Sequence, residues 1–250
     1  METRRKAFTL AEVLITFVVV GVVSALTVPQ AQLYIRDAQY VNRLKKFYSV
    51  ANQGFRHRMA QDGVTDIGQS SVCSSINGES TATGNQNNFT VEMMRIFKVI
   101  SAFNGGEYTG NIDYSAMSDD TRIISSNNNY TLVLADGILM HMDIKGEGEE
   151  GIPKDAIRDA GGKLFKVYGT IEVDINGNNG PNRWGYDYYR FVLGQDGFIY
   201  PYEGKDYQIW KTGVAVTGNY ADCAKGKDSG ANGYSCAARI MDNDWSMDYL

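Results

Sequence analysis

The sequence predicts an α+β protein in which one long N-terminal hydrophobic helix packs on a small antiparallel sheet headgroup. Three observations predict it. Residues 8–28 form an apolar run broken by a single carboxylate, and the run has the length of about 20 residues that a bilayer span needs. Beyond it, Tyr40, Leu44, Phe47, Ala51, Phe55 and Met59 recur at steps of three or four, which gives one apolar stripe on a helix. Further along, short runs rich in aromatic and β-branched residues flank Asp136-Gly137 and Asp196-Gly197, dipeptides that favour tight hairpin turns.

The apolar run begins after a short basic segment that holds Arg4, Arg5 and Lys6. Positive charge of this kind stays on the cytoplasmic side, so the rest of the chain is expected outside. Glu12 sits inside the run, where a carboxylate at membrane depth costs roughly 2.5–3.5 kcal/mol. A group kept at that cost implies a use and a partner. An ordinary signal anchor would tolerate such a residue without using it. A secretory signal would instead be cut after the run, where Ser24-Ala25-Leu26 offers small residues.

The stretch Lys6-Ala7-Phe8-Thr9-Leu10-Ala11-Glu12-Val13-Leu14-Ile15, followed by Gly21 and Pro29, resembles the amino-terminal signature of the type IV pilin superfamily, which includes the pseudopilins of type II secretion. The signature occupies about a tenth of the chain. It combines a basic leader, a small residue before Phe, a buried Glu and an apolar helix, and neither alternative above explains that order. The family usually has Gly where this chain has Ala7, the next smallest side chain. The resemblance implies that a prepilin peptidase cuts between Ala7 and Phe8 and methylates the new Phe8 amine. It implies a subunit held in the bacterial inner membrane and then drawn by the assembly machinery into a periplasmic pseudopilus or a surface pilus, beside copies of itself and other pilins. In that filament Glu12 is expected to pair with the Phe8 amine of a neighbour, which sets axial register because a slipped register leaves two buried charges unpaired. The expected organisation is a leader at 1–7, a transmembrane and assembly helix at 8–29, its amphipathic continuation at 30–61 and an α+β headgroup at 62–250.

Composition narrows the headgroup's role. The net charge is −5, and loss of the basic leader takes it to about −7. An acidic body argues against nonspecific nucleic-acid binding, which rests on Lys and Arg meeting phosphates. Gly, Asn, Ser and Tyr are abundant and proline is scarce, a pattern of many turns and short strands. The three cysteines, Cys73, Cys223 and Cys236, allow one bridge outside the cytoplasm and leave one thiol over.

Taken in order, Pro29 removes a helix hydrogen bond and is expected to kink or loosen the helix locally. The helix then continues through Met59, with Arg36, Arg43, Lys45, Lys46, Arg56 and Arg58 on its solvated faces. Residues 62–88 are polar and read as a surface loop around Cys73. Residues 89–103 read as a second helix with Val91, Met94, Phe97 and Val99 or Ile100 on its inner side, and 104–129 return to loop chemistry. Strands follow at 130–135 and 138–143, at 164–174, and at 186–193 with a return from Phe198. The end of the chain, from 210, is irregular.

Among candidate sites, residues 145–151 satisfy a G-x-G-x-x-G spacing, but Glu147, Glu149 and Glu150 would repel the pyrophosphate that such a loop holds. An acidic turn accounts for them better. Residues 174–182 place oxygen-bearing side chains at alternate positions with glycines between, the way a short loop wraps a hard cation. It is not an EF-hand, because Asn179 and Gly185 stand where that loop needs Gly and a bidentate Glu. Major pseudopilins carry a calcium-supported loop in this region, and Trp184-Gly185 is similar to their sequence. The resemblance therefore implies Asp174, Asn176 and Asn178 as calcium ligands, with Asn182 or Asp187 added. A chain of Asx-turns without metal is the plain alternative. Cys223 and Cys236 lie near each other in sequence, and a bridge closing that loop is worth about 3 kcal/mol in the chain-entropy model. Cys73 is an alternative partner for either, while the disulfide-bounded loop of pilins favours the pair Cys223 and Cys236.

No catalytic constellation stands out. His57 and His141 lack an HExxH spacing, and the chain has no G-x-S-x-G. The tyrosines at 186, 188, 189, 200, 202 and 207 suit sheet packing. The expected function is that of a filament subunit rather than an enzyme. The runner-up is a minor subunit whose headgroup binds DNA, carbohydrate or a secreted substrate.

Overall fold

The computed structural model describes residues 8–75, 84–103, 107–110, 113–117, 122–124, 130–144, 156–158, 164–204, 207–208, 220, 222–224 and 230–249. Ala7 with the leader, the acidic turn at 145–151 and residues 210–219 lie outside them. Contacts divide the chain into two compact units, Met1–Gln39 and Tyr40–Leu250. Helix α1, Leu10–Asp62, carries Pro29 in its interior. In the first unit its large apolar residues are exposed, among them Leu14, Ile15, Phe17, Val18 and Leu26. Its hydroxyls bond back to its own backbone, Thr16 to the Val13 carbonyl at 2.8 Å and Thr27 to the Val23 carbonyl at 2.9 Å. Neither of these two hydroxyls then seeks an outside partner, as suits an apolar medium. By length and composition, this helix is able to cross a membrane.

In the second unit the rest of α1 covers one face of the sheet. Leu44, Phe47, Ala51, Phe55 and Met59 are buried, and each large side chain among them contributes about 1.5–3 kcal/mol. Phe47 packs against Phe97 and Phe191, with ring centroids 6.0 and 6.1 Å away. Asn52 breaks the apolar pattern on purpose, since its Oδ1 accepts the Ile199 N–H at 2.8 Å.

The sheet is antiparallel and eight-stranded. Its main path runs β1 (Val99–Phe103), β4 (Tyr130–Leu134), β5 (Leu139–Ile144) and β7 (Leu164–Asp174), with β8 (Tyr188–Gly194) and β9 (Ile199–Pro201) continuing from β7. β6 (Ala156–Arg158) pairs the start of β7, and β10 (Tyr207–Gln208) pairs β6. β2 (Asp113–Ser115) and β3 (Arg122–Ile124) form a separate hairpin. The strands expected at 130–143, 164–174 and 186–193 all form, joined where expected by the two Asp-Gly turns.

Three expectations need correction. The second helix, α3 (Gly84–Ile96), ends before Val99, and residues 99–103 become the sheet's edge strand β1. Five residues that fit either period are settled by pairing with β4, a contact that local sequence does not encode. The inner side of α3 is also different: Phe89, Met93 and Phe97 are buried, while Val91 and Met94 are exposed. Finally, part of the expected loop after α1 is ordered as a 3-10 turn, Ile67–Gln69, and a short helix α2, Ser71–Ser74. Asp66 caps the turn by accepting the Gly68 N–H at 2.9 Å. Cys73 is thereby buried, not at the surface, and burial pushes its thiol pKa up to about 12, which leaves it inert.

Candidate functional site

At the N-terminal end, Phe8 is exposed and Thr9 precedes the first turn of α1. Glu12 Oε2 accepts the Thr9 N–H at 2.8 Å and the Thr9 hydroxyl at 2.9 Å, while the Glu12 N–H donates to Thr9 Oγ1 at 3.3 Å. Thr-x-x-Glu is a capping box, each side chain bonding the other's backbone. Thr9 and Glu12 stand at the spacing this motif requires, so the signal is present in the sequence alone. In the single chain the carboxylate is held by Thr9, three residues away.

The second region is the segment between β7 and β8, residues 175–187. It is closed at its base by the Ile175 N–H donating to the Asp187 carbonyl at 2.9 Å. Gly177 has φ of 67°, and a Cβ there would meet the Gly137 carbonyl oxygen at 2.5 Å. Gly185 has φ of 77°, and its Cβ would strike Cys236 Sγ at 2.6 Å. Only glycine fits at either corner. Cys236 opens helix α4 (Cys236–Asp242) and is bonded to Cys223 with an S–S distance of 2.07 Å, so the bridge packs directly under this segment.

Four of the five residues singled out from the sequence converge here. Asp174 and Asp187 are buried at 1 % and 0 % exposure, and Asn176 at 7 %. Asp187 accepts the Asn182 N–H at Oδ2 (2.9 Å) and the Arg183 N–H at Oδ1 (2.7 Å). Asp174 Oδ1 accepts the Asn176 N–H at 3.1 Å. Burial, and then the nearby Asp187 carboxylate, push the Asp174 pKa up to about 8. Burial raises that of Asp187 too, although backbone N–H groups pull the other way. Three buried oxygens, Asp174 Oδ2, Asn176 Oδ1 and Asn182 Oδ1, have no hydrogen-bond partner among the described residues. Buried polar atoms are nearly always satisfied, so these three oxygens mark a place where hard donors are available, although the Tyr114 hydroxyl and the Gly177 N–H also bear on Asp174. Hard oxygen donors of this kind fit a calcium-type cation. Asn178 is the exception: it is exposed, and its Oδ1 accepts the Tyr108 hydroxyl at 2.9 Å. No cluster of three or more His, Cys, Asp or Glu side chains able to hold a metal occurs among the described residues, so any cation here would depend on amide oxygens.

A third cluster was not foreseen. On the sheet face away from α1, Thr131, His141, Glu172 and Arg190 stand in register across β4, β5, β7 and β8. Glu172 accepts Arg190 Nε at 2.9 Å and the Tyr188 hydroxyl at 2.7 Å. The Arg190 guanidinium lies over the rings of Tyr234, Trp184 and Tyr202, at 4.4, 4.8 and 5.3 Å from their centroids. Period-2 alternation predicts which residues share this face, but the pairing of four strands decides that they meet. His141 and His57 stay apart, the first buried in this row and the second exposed on α1.

The prokaryotic N-terminal methylation motif matches residues 3–28. The chain therefore carries the signature of type IV pilins and pseudopilins, and a long N-terminal helix followed by an antiparallel sheet is consistent with a pilin-like α+β fold. No curated protein and no solved structure matches the chain. The signature points to a structural protein that is anchored in a membrane before it assembles with other pilins.

Proposed function

We propose that the chain is a subunit of a type IV pilus or a type II secretion pseudopilus, cut between Ala7 and Phe8, methylated at the Phe8 amine and polymerised through α1. The observation that carries this reading is the methylation motif running without a break into a helix whose first-unit apolar surface is exposed. That surface needs lipid before assembly and other helices after it. Glu12 leaves its bonds to Thr9 for the Phe8 amine of a neighbour, exchanging a local cap for a charge pair that fixes register. The final location is a periplasmic or surface filament.

Within the headgroup, the segment between β7 and β8 takes up a calcium ion. Asp174, Asn176, Asn182 and Asp187 hold it, the ion supplying the positive charge that two buried carboxylates lack. The orphaned oxygens support this role. Asn178 contributes by fastening the segment to Tyr108.

Intact mass and N-terminal sequencing of the protein from its native membrane test the main reading. A chain beginning at methylated Phe8 is expected; one beginning at Met1 would reduce α1 to a plain anchor. Glu12→Leu is then expected to insert in the membrane but fail to enter filaments, and normal incorporation would remove the pairing role.

A further inference from the structure

Asn176 is held in a way that its local sequence does not explain. Its Nδ2 donates one hydrogen to the Tyr40 hydroxyl at 3.0 Å and the other to the Gly180 carbonyl at 3.2 Å. The donors of the amide are therefore engaged, and the Asp187 carboxylate draws on the same side chain. Its Oδ1, in contrast, is buried and has no hydrogen-bond partner among the described residues. The reverse orientation would set that oxygen against the Gly180 carbonyl oxygen, acceptor against acceptor. The amide is thus locked with that oxygen buried, in the segment bounded by Asp174 and Asp187.

Tyr40 is 136 residues away in sequence and belongs to α1, at the start of the second unit. We infer that Tyr40 is a positioning residue for the cation, orienting the Asn176 carbonyl and thereby coupling cation occupancy to the attachment of α1 at Tyr40. The inference rests on the calcium reading of the segment between β7 and β8. Coupling of this kind is reciprocal: whatever the helix contact adds to cation affinity, the cation adds to the helix contact. A divalent cation, with calcium as the probe, would then secure this end of the helix stripe as well as the loop itself.

The test uses the full chain in detergent micelles, titrated with calcium chloride by calorimetry after chelation. Tyr40→Phe keeps the ring and removes the oxygen. Loss of one neutral hydrogen bond predicts a Kd about threefold to tenfold weaker, with a larger fall in melting temperature in calcium than in excess chelator. An unchanged Kd, or an equal loss of stability with and without calcium, would make Tyr40 an ordinary packing residue and overturn the inference while leaving the cation site standing. A parent chain that takes up no calcium would end the cation reading itself. Hydrogen exchange on the parent gives an independent check that needs no variant to fold. Calcium is expected to slow exchange at residues 40–44 of α1 more than in α4, and equal slowing in both would sink the coupling.

Discussion

Glu172 and Asp174 stand two residues apart on β7 and face the same side of the sheet, away from α1, and both are buried. Their surroundings differ. Burial works against the charge of Glu172, but Arg190 sits at ion-pair distance and the Tyr188 hydroxyl adds a bond, so its pKa is held below the usual value. Burial works against Asp174 in the same way, and its near neighbour is a second carboxylate, so its pKa rises to about 8. One acid has its counter-charge built into the sheet. The other has only hydrogen-bond donors, the Tyr114 hydroxyl and the Asn176 and Gly177 N–H groups, to set against its burial and the charge of Asp187. The lesson is that burial alone does not separate an acid held charged from one pushed toward its neutral form; the account of its partners does.

The largest test of this contrast removes the built-in partner. Arg190→Met leaves Glu172 buried without its cation and is expected to cost about 3–5 kcal/mol, read by denaturant unfolding of the detergent-solubilised chain. A loss below about 1 kcal/mol would mean that the pair is as weak as a surface bridge.

A second test asks whether the satisfied row extends to His141, which pairs Glu172 in register and contacts Thr131 Oγ1 at 2.9 Å through Nδ1. Burial pulls its pKa down to about 4, against an upward pull from Glu172. A histidine depressed in the fold favours the native state while it is neutral, so this contribution is complete above its unfolded pKa of about 6.5 and disappears as pH falls toward about 4. The loss between pH 7 and pH 4.5 is expected to be on the order of 2 kcal/mol, and smaller in His141→Gln. Equal acid sensitivity in the two chains would place the titrating group elsewhere.

The smallest effect discriminates most sharply. In excess chelator, Asp174→Asn removes one of two repelling carboxylates and is expected to stabilise the chain by about 1 kcal/mol, while abolishing any gain in melting temperature from calcium. Glu172→Gln, the matched change on the same strand, is expected to destabilise whether or not calcium is present. If both substitutions destabilise the chelated chain, the distinction between the two acids fails.

Much of this molecule was legible beforehand. The apolar run, the stripe from Leu44 to Met59 and the two Asp-Gly hairpins follow from periodicity and turn chemistry, which act over a few residues. Residues 99–103 depart from that reading because five apolar-rich residues after a helix satisfy either period until a partner strand claims them. The segment from Asp174 to Asp187 was legible as a run of oxygen donors, but which of them turn inward was not. Asn178 has the same chemistry as Asn176 and two residues of spacing from it, yet Tyr108 takes its oxygen at the surface while Asn176 turns inward.

By itself, then, the sequence determined what depends on neighbours in the chain: the methylation motif, the capping box of Thr9 and Glu12, the helix and the hairpins. Tertiary structure alone decided which charges would find partners. Glu172 meets Arg190 because β7 and β8 pair in one register, and Asn176 meets Tyr40 across 136 residues. Such contacts arise from the closure of long loops and the packing of whole faces, where no local propensity operates.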